Sequence, residues 1–227
     1  MKKKIVALFM LATLALSACG GGSKTSTDST KAAGGATADE PIEIVISHIA
    51  DENHTWHKGS EKFKEVAEEK SGGRLKVTIY PNSQLGNEID TIQSILTGGG
   101  CDITFTAESM QTYAEELGVI GMPYAIKSEE QLYKVLDGEV GKEMEEIMLN
   151  SGMRVLGYFV RGPRNITSNT PIKTPDDLKG FIIRTPQSPM TVAAFDAMGA
   201  KPTPMAFSEV FTSLQQGVIN GQENPLA

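Results

Sequence analysis

From Pro41 onward, segments with strand pattern alternate with segments of helical period, and this order constrains the chain more than any other feature. Such alternation demands a mostly parallel sheet with helices packed on its faces. Ile42 to Ser47 reads as the first strand. A helix is expected from about Trp56 to Glu69, with Trp56, Phe63, Val66 and Ala67 on one stripe and Gly72 and Gly73 ending it. Leu75, Val77 and Ile79 alternate with polar residues in a second strand that Pro81 stops. Ile89, Ile92, Ile95 and Leu96 mark the next helix, and Gly98 to Gly100 close it before a strand over Asp102 to Phe105. Helices are expected over Glu129 to Leu136, where Ser128 and Gln131 have capping-box spacing, and over Glu139 to Asn150. A strand is then expected over Val155 to Val160.

The second half repeats the pattern. Thr174 and Pro175 open a short helical turn that Gly180 ends. Phe181, Ile182 and Ile183 form an apolar run, as in a strand covered on both faces, and Pro186 stops it. Ser188 has the character of an N-cap, Pro189 that of a first helical residue, and Gly199 ends that helix. Ser208 opens another, with Val210, Phe211 and Leu214 expected inward and Gly217 at its end. Val218 and Ile219 begin a last strand, and the chain stops at Ala227 so soon after it that truncation is expected.

The N-terminus reads as an export signal. Lys2, Lys3 and Lys4 precede an apolar run from Ile5 to Leu16, too short to span a bilayer comfortably, and Leu16, Ser17, Ala18 and Cys19 follow. The expectation is a lipoprotein signal peptide over 1–18, cleavage before Cys19 and lipidation of that cysteine. Residues 19–40 hold no large apolar side chain from Gly20 onward and should form a flexible tether. The product would be exported, lipid-anchored to the outer face of the cell membrane or periplasmic. Loss of the three lysines takes the formal charge from -7 to -7 - 3 = -10, which argues against nucleic acid as a partner. With Cys19 committed, Cys101 has no disulfide partner and reads as a small core residue.

Arg184 follows the apolar run directly, at the carboxyl end of a strand. Ligands of open α/β sheets bind in the crevice outside those ends, and a guanidinium fork matches a carboxylate in two places at once. Arg184 is therefore a candidate anion ligand, with pairing to a structural acid such as Glu223 as the alternative. Arg161 and Arg164 follow the expected strand, Arg164 in an expected loop after Gly162 and Pro163. His54 and His57 are three apart with His48 upstream, but no carboxylate or cysteine stands nearby at ligand spacing, so no metal is expected. No cofactor is expected either.

The segments YPNSQLGNE (Tyr80 to Glu88), CDITFTAES (Cys101 to Ser109), KGFIIRTPQSP (Lys179 to Pro189) and PTPMAFSEVFTSLQQGVINGQENP (Pro202 to Pro225) together resemble the DctP-type solute-binding proteins of tripartite ATP-independent periplasmic (TRAP) transporters. The resemblance implies a two-lobed α/β periplasmic-binding-protein fold with open, mostly parallel sheets and a hinge, the lobes spanning 41–160 and, incompletely, 161–227. It also implies closure on an organic acid, a sugar acid or a dicarboxylate, and delivery to TRAP permease subunits. Carried over by position, Arg184 matches the principal carboxylate-binding arginine, Arg164 a second polar contact and Asn224 a ligand-contacting asparagine. Glu108 matches an acidic residue that meets ligand polar groups or water, which favours a hydroxylated monocarboxylate. The loop from His48 to Trp56, with His48 and His54, falls where the cleft is lined from the first lobe.

Two other functions fit parts of this pattern. The same fold could present ligand to a signalling receptor. An exported hydrolase would need a nucleophile with its base, and the sequence holds neither a G-x-S-x-G elbow nor a Cys/His arrangement nor closely spaced catalytic carboxylates.

Overall fold

Two separate sheets, one centred on the strand at Ile42–Ser47 and the other on the neighbouring strands at Gly221–Pro225 and Ile182–Thr185, organise the chain. The computed structural model describes residues 40–226. The leader expected over 1–18, Cys19 and the tether up to residue 39 lie outside the described residues. In the first sheet β1 (Ile42–Ser47) lies between β2 (Leu75–Tyr80) and β3 (Ile103–Thr104), all three parallel. The crossover from β1 to β2 is α1 (Thr55–Lys70), and that from β2 to β3 is α2 (Glu88–Thr97). Asn87 caps α2 by accepting from the amides of Ile89 and Asp90, while Asp90 returns a bond to the Asn87 amide. Gly98 ends α2 with a φ of 68°, a left-handed conformation that glycine adopts without steric cost.

Ile92, wholly buried on α2, anchors a core shared with Met110, Leu117, Met144 and Met153. Two 3-10 turns, Glu108–Thr112 and Glu115–Gly121, carry part of it. Helices α3 (Glu129–Leu136) and α4 (Glu139–Asn150) follow with the bounds expected. The Ser128 hydroxyl accepts from the Gln131 amide, but the Gln131 side chain reaches back to the amide of Lys127, one residue beyond the usual capping box.

The second sheet has the order β4-β7-β5-β6, with β4 (Arg164–Ser168) antiparallel to β7 (Gly221–Pro225). β5 (Ile182–Thr185) is parallel to both β7 and β6 (Lys201–Pro204). Helices α5 (Pro189–Ala197) and α6 (Phe207–Gln215) connect these strands. Ile183 is fully buried with Leu178, Phe181, Phe195 and Ala200 around it. At Gly221 the strands approach closely: an added Cβ would stand 2.4 Å from the Thr167 carbonyl oxygen and 2.9 Å from the Phe181 ring. The two halves are tied by the Gln111 side chain, which accepts from the Met190 amide at 3.1 Å, and by the Thr112 hydroxyl, which donates to the Gln187 carbonyl.

Several expectations are corrected. Val155 to Val160 pairs with no strand among the described residues, and the sheet resumes at Arg164, which is the first residue of a strand and not a loop residue. The last strand starts at Gly221 rather than Val218. The strand over Lys201–Pro204 was not expected, because two prolines disguise it. Pairing to β5 alone, at the sheet edge, tolerates their missing donors. On α6 only Val210 is buried; Phe211 is 75% exposed. On α1 Trp56 is buried but Phe63 is 41% exposed. Cys101 is a buried free thiol, its Sγ 3.4 Å from the Ile103 carbonyl oxygen.

Candidate functional site

The carboxyl ends of β1 and β5 open on a common cavity of about 210 Å³, whose walls include Asp51, His54, Glu88, Glu108, Arg161, Arg164, Arg184 and Asn224. Each side chain arrives there for a local reason. The buried Ile183 fixes β5, so Arg184, next along, presents its guanidinium at the strand's end while only 4% of the residue stays exposed. Its Nε and Nη2 both donate to the Met205 carbonyl, at 3.2 and 2.9 Å, and the guanidinium carbon lies 5.9 Å from the centre of the Phe207 ring. Arg184 makes no ion pair among the described residues, in particular none with Glu223. Burial lowers its pKa to about 10, against the attraction of Glu223, so it remains a cation at neutral pH. A buried cation held only by a backbone carbonyl retains most of its capacity to bind an anion.

Arg164 is in a different state. It stands on β4 diagonal to Glu223 across the antiparallel ladder, where Ile166 is opposite Glu223. Its Nε and Nη2 grip the Glu223 carboxylate, Nη2 also reaches the Glu223 carbonyl at 3.1 Å, and Nη1 donates to Glu108 at 2.7 Å. Glu108, the acid expected near ligand, is therefore engaged by Arg164, and so is Glu223, the structural partner considered for Arg184. Glu223 is 3% exposed, and its burial raises its pKa while Arg164 opposes that rise.

Arg161 enters from the unpaired segment before β4. Its guanidinium carbon lies 4.8 Å from the centre of the Trp56 ring, Nη2 donates to Asn224 Oδ1 at 3.0 Å, and its buried Nε has no partner among the described residues. Asn224 Oδ1 also receives Arg164 Nη2 at 3.4 Å, and the Asn224 amide donates to Gln222. Asn224 thus positions two of the three arginines.

The histidines divide. His54 is the N-cap of α1: its Nδ1 accepts from the Trp56 amide at 3.1 Å, which leaves the proton of the neutral ring on Nε2, and the ring lies on the cavity wall. Burial and the charge of Arg161 both lower its pKa. His48 is not on that wall. It is 1% exposed, 3.2 Å from His57 through Nε2 and edge-on to Phe105, inside the aromatic cluster beneath α1. Burial, then His57, lower its pKa to about 4, so it is a neutral interior residue.

Glu88 was not singled out from the sequence. It is the first residue of α2, after the loop that follows the β2 carboxyl end, and lines the cavity beside Ser109. Helix dipoles favour an ionised acid there, but burial pushes its pKa up, with Ser109 opposing and Glu108 adding to the rise. The signal was present in SQLGNE, because a glutamate just after a helix cap at a strand's end falls in the ligand-binding crevice of an α/β sheet. The Met205 carbonyl and Phe207 ring, which hold Arg184, also escaped the sequence reading.

A cavity with an unpaired buried guanidinium suits a small anion such as a carboxylate or a phosphate. Residues 46–227 match the family model described as bacterial extracellular solute-binding protein, family 7. A solute-binding protein of Roseobacter denitrificans is 44% identical over 189 residues, covering 83% of this chain and 58% of the relative. The 2,3-diketo-L-gulonate-binding periplasmic protein of Escherichia coli is 36% identical, covering 75% and 52%. Among solved structures, a Roseobacter denitrificans TRAP periplasmic solute-binding protein with bound L-galactonate superposes with a TM-score of 0.78 at 44% identity, covering 81% of this chain and 61% of that one. A Sulfurospirillum deleyianum counterpart with bound succinate does so at 0.78 and 33%, covering 81% and 60%. The chain thus spans about three fifths of the length of these proteins. By its match over residues 46–227, it belongs to the bacterial extracellular solute-binding proteins of family 7.

Proposed function

We propose that the protein binds the carboxylate of a small organic acid outside the cytoplasm and delivers it to a TRAP permease. Arg184 carries this reading. It is a buried cation without an ion pair among the described residues, at the end of a central strand, facing a cavity that two halves of the chain enclose. Its relatives bind L-galactonate and succinate, which share a carboxylate and little else. Arg164, Arg161 and Asn224 form a bonded array behind that position, and Glu108 and His54 complete the wall. Closure follows if the acid also meets groups of the first sheet, because only contacts made in the closed state favour it. Such a protein acts without catalysis, as a carrier tethered by its leader's lipid or free in the periplasm.

Titration calorimetry on the full-length protein with L-galactonate and succinate tests the assignment. Arg184→Ala should weaken binding by about 2 to 5 kcal/mol, because the ligand charge is then buried without a partner. Unchanged affinity in that variant refutes the role of Arg184. Two permease genes beside this one support transport, and a sensor kinase gene alone supports signalling.

A further inference from the structure

Arg184 is not the only arginine on the cavity wall that is open to an anion. It rests beside Phe207 at the start of α6, whereas Arg161 lies over the face of Trp56 at the start of α1, and both rings line the cavity with them. The two cations thus stand on different parts of the wall. Arg164 is occupied by Glu108 and Glu223. Arg161, by contrast, makes no ion pair among the described residues, and of its N–H donors only that on Nη2 has an acceptor there, Asn224. Its buried Nε lacks one, a state that costs free energy until an acceptor arrives. Trp56 and Asn224 hold the guanidinium in place beforehand, so little ordering remains when a ligand meets it.

The wall also carries the carboxylates of Asp51, Glu88 and Glu108. None of them forms an ion pair with Arg161 among the described residues. Glu108 is paired to Arg164, the Asp51 carboxylate accepts the Asn53 amide at 2.7 Å, and Glu88 begins α2, where the helix N-terminus offsets its charge. Asp51 and Glu88 accept hydrogen bonds, which suits ligand hydroxyls and opposes a carboxylate set against them. Building on the carboxylate reading of Arg184, we propose that Arg161 determines specificity by taking a second carboxylate at the other end of the ligand, so that the site prefers a hydroxylated dicarboxylate to a sugar acid with one carboxylate. A carboxylate meets a guanidinium in two places and with opposite charge, a hydroxyl in one place and with none.

Titration calorimetry on the full-length protein tests this with L-galactonate and meso-galactarate, which share a polyol skeleton and differ in a far-end hydroxymethyl or carboxylate, and with succinate as a dicarboxylate without hydroxyls. The tighter-binding dicarboxylate should exceed L-galactonate by about tenfold in affinity. Arg161→Gln should weaken that dicarboxylate about thirtyfold and L-galactonate less than about threefold, and Arg161→Lys, which keeps the charge but not the fork, should recover part of the loss. Equal losses for both ligands in Arg161→Gln make the residue structural and overturn the proposal. Tighter binding of L-galactonate than of either dicarboxylate by the unaltered protein overturns it without any variant and leaves the Arg184 site standing. Failure to bind any of these acids overturns the carboxylate site itself, and the proposal with it.

Discussion

Replacing Arg164 by methionine should damage the fold more than the ligand site. The side chains involved are unequally buried: Glu223 is 4% exposed, Arg164 24% and Glu108 19%. Removing the guanidinium deletes two donors to the Glu223 carboxylate, one to its carbonyl and one to Glu108. Glu108 can recover water, but Glu223 is left as a charge inside the sheet. The cost should be about 3 kcal/mol, the lower end of the range for breaking a buried pair, because water already reaches the arginine. Urea unfolding of the full-length protein at pH 7 measures it. Adding Glu223→Gln removes the stranded charge, and the double variant should recover more than half of the loss. The sign with pH follows from the raised Glu223 carboxyl. An acid whose folded pKa lies above its unfolded value contributes stability that is present below the unfolded value and lost as pH rises through the folded one. The penalty of Arg164→Met should therefore be largest at neutral pH and shrink toward pH 4.5. A single variant within about 0.5 kcal/mol of the parent, or a double variant no better than the single, refutes the reasoning.

Two further outcomes are expected. His48, held neutral with a pKa of about 4 against the ordinary 6.5, contributes stability that is present above pH 6.5 and lost as pH falls through 4; NMR titration of its ring should show no imidazolium at pH 5.5, and a charged ring there contradicts the buried packing against His57 and Phe105. Phe207→Ala removes the ring beside Arg184, and since Phe207 is itself partly exposed the loss should be about 0.5 to 1 kcal/mol of L-galactonate affinity by calorimetry, with Phe207→Tyr restoring it.

Elements whose boundaries are written locally were legible. Helices α3 and α5 begin where Ser128 and Pro189 suggest, α4 keeps its expected bounds, and β1 and β2 follow their apolar pattern. Strands that depend on a distant neighbour were not. The run Val155 to Val160 has the composition of a strand yet finds no partner among the described residues, and it leaves Leu156 and Phe159 exposed. The polar Arg164–Ser168 segment becomes a strand because β7, more than fifty residues later, pairs with it. The site divides in the same way. Arg184 could be placed from its own flanking residues, since an apolar strand ending in an arginine is a local signal. The commitment of Arg164 could not, because Glu223 is 59 positions away and Glu108 56. Glu88 carried a local signal that went unused, and the inward position of His48 needed the packing of Phe105 and His57 to become visible.

Gly221 gives the second sheet a tolerance of less than one methyl group. The atom facing it is a backbone oxygen, that of Thr167, and it cannot swing aside as a side-chain tip would. A larger residue would have to lever β7 away from β4, and Glu223 and Asn224 ride on the same strand two and three positions further along. The alignment of two arginines then hangs on a hydrogen atom outside the cavity wall, so the gauge of the cleft is set at the far end of the strand that carries it.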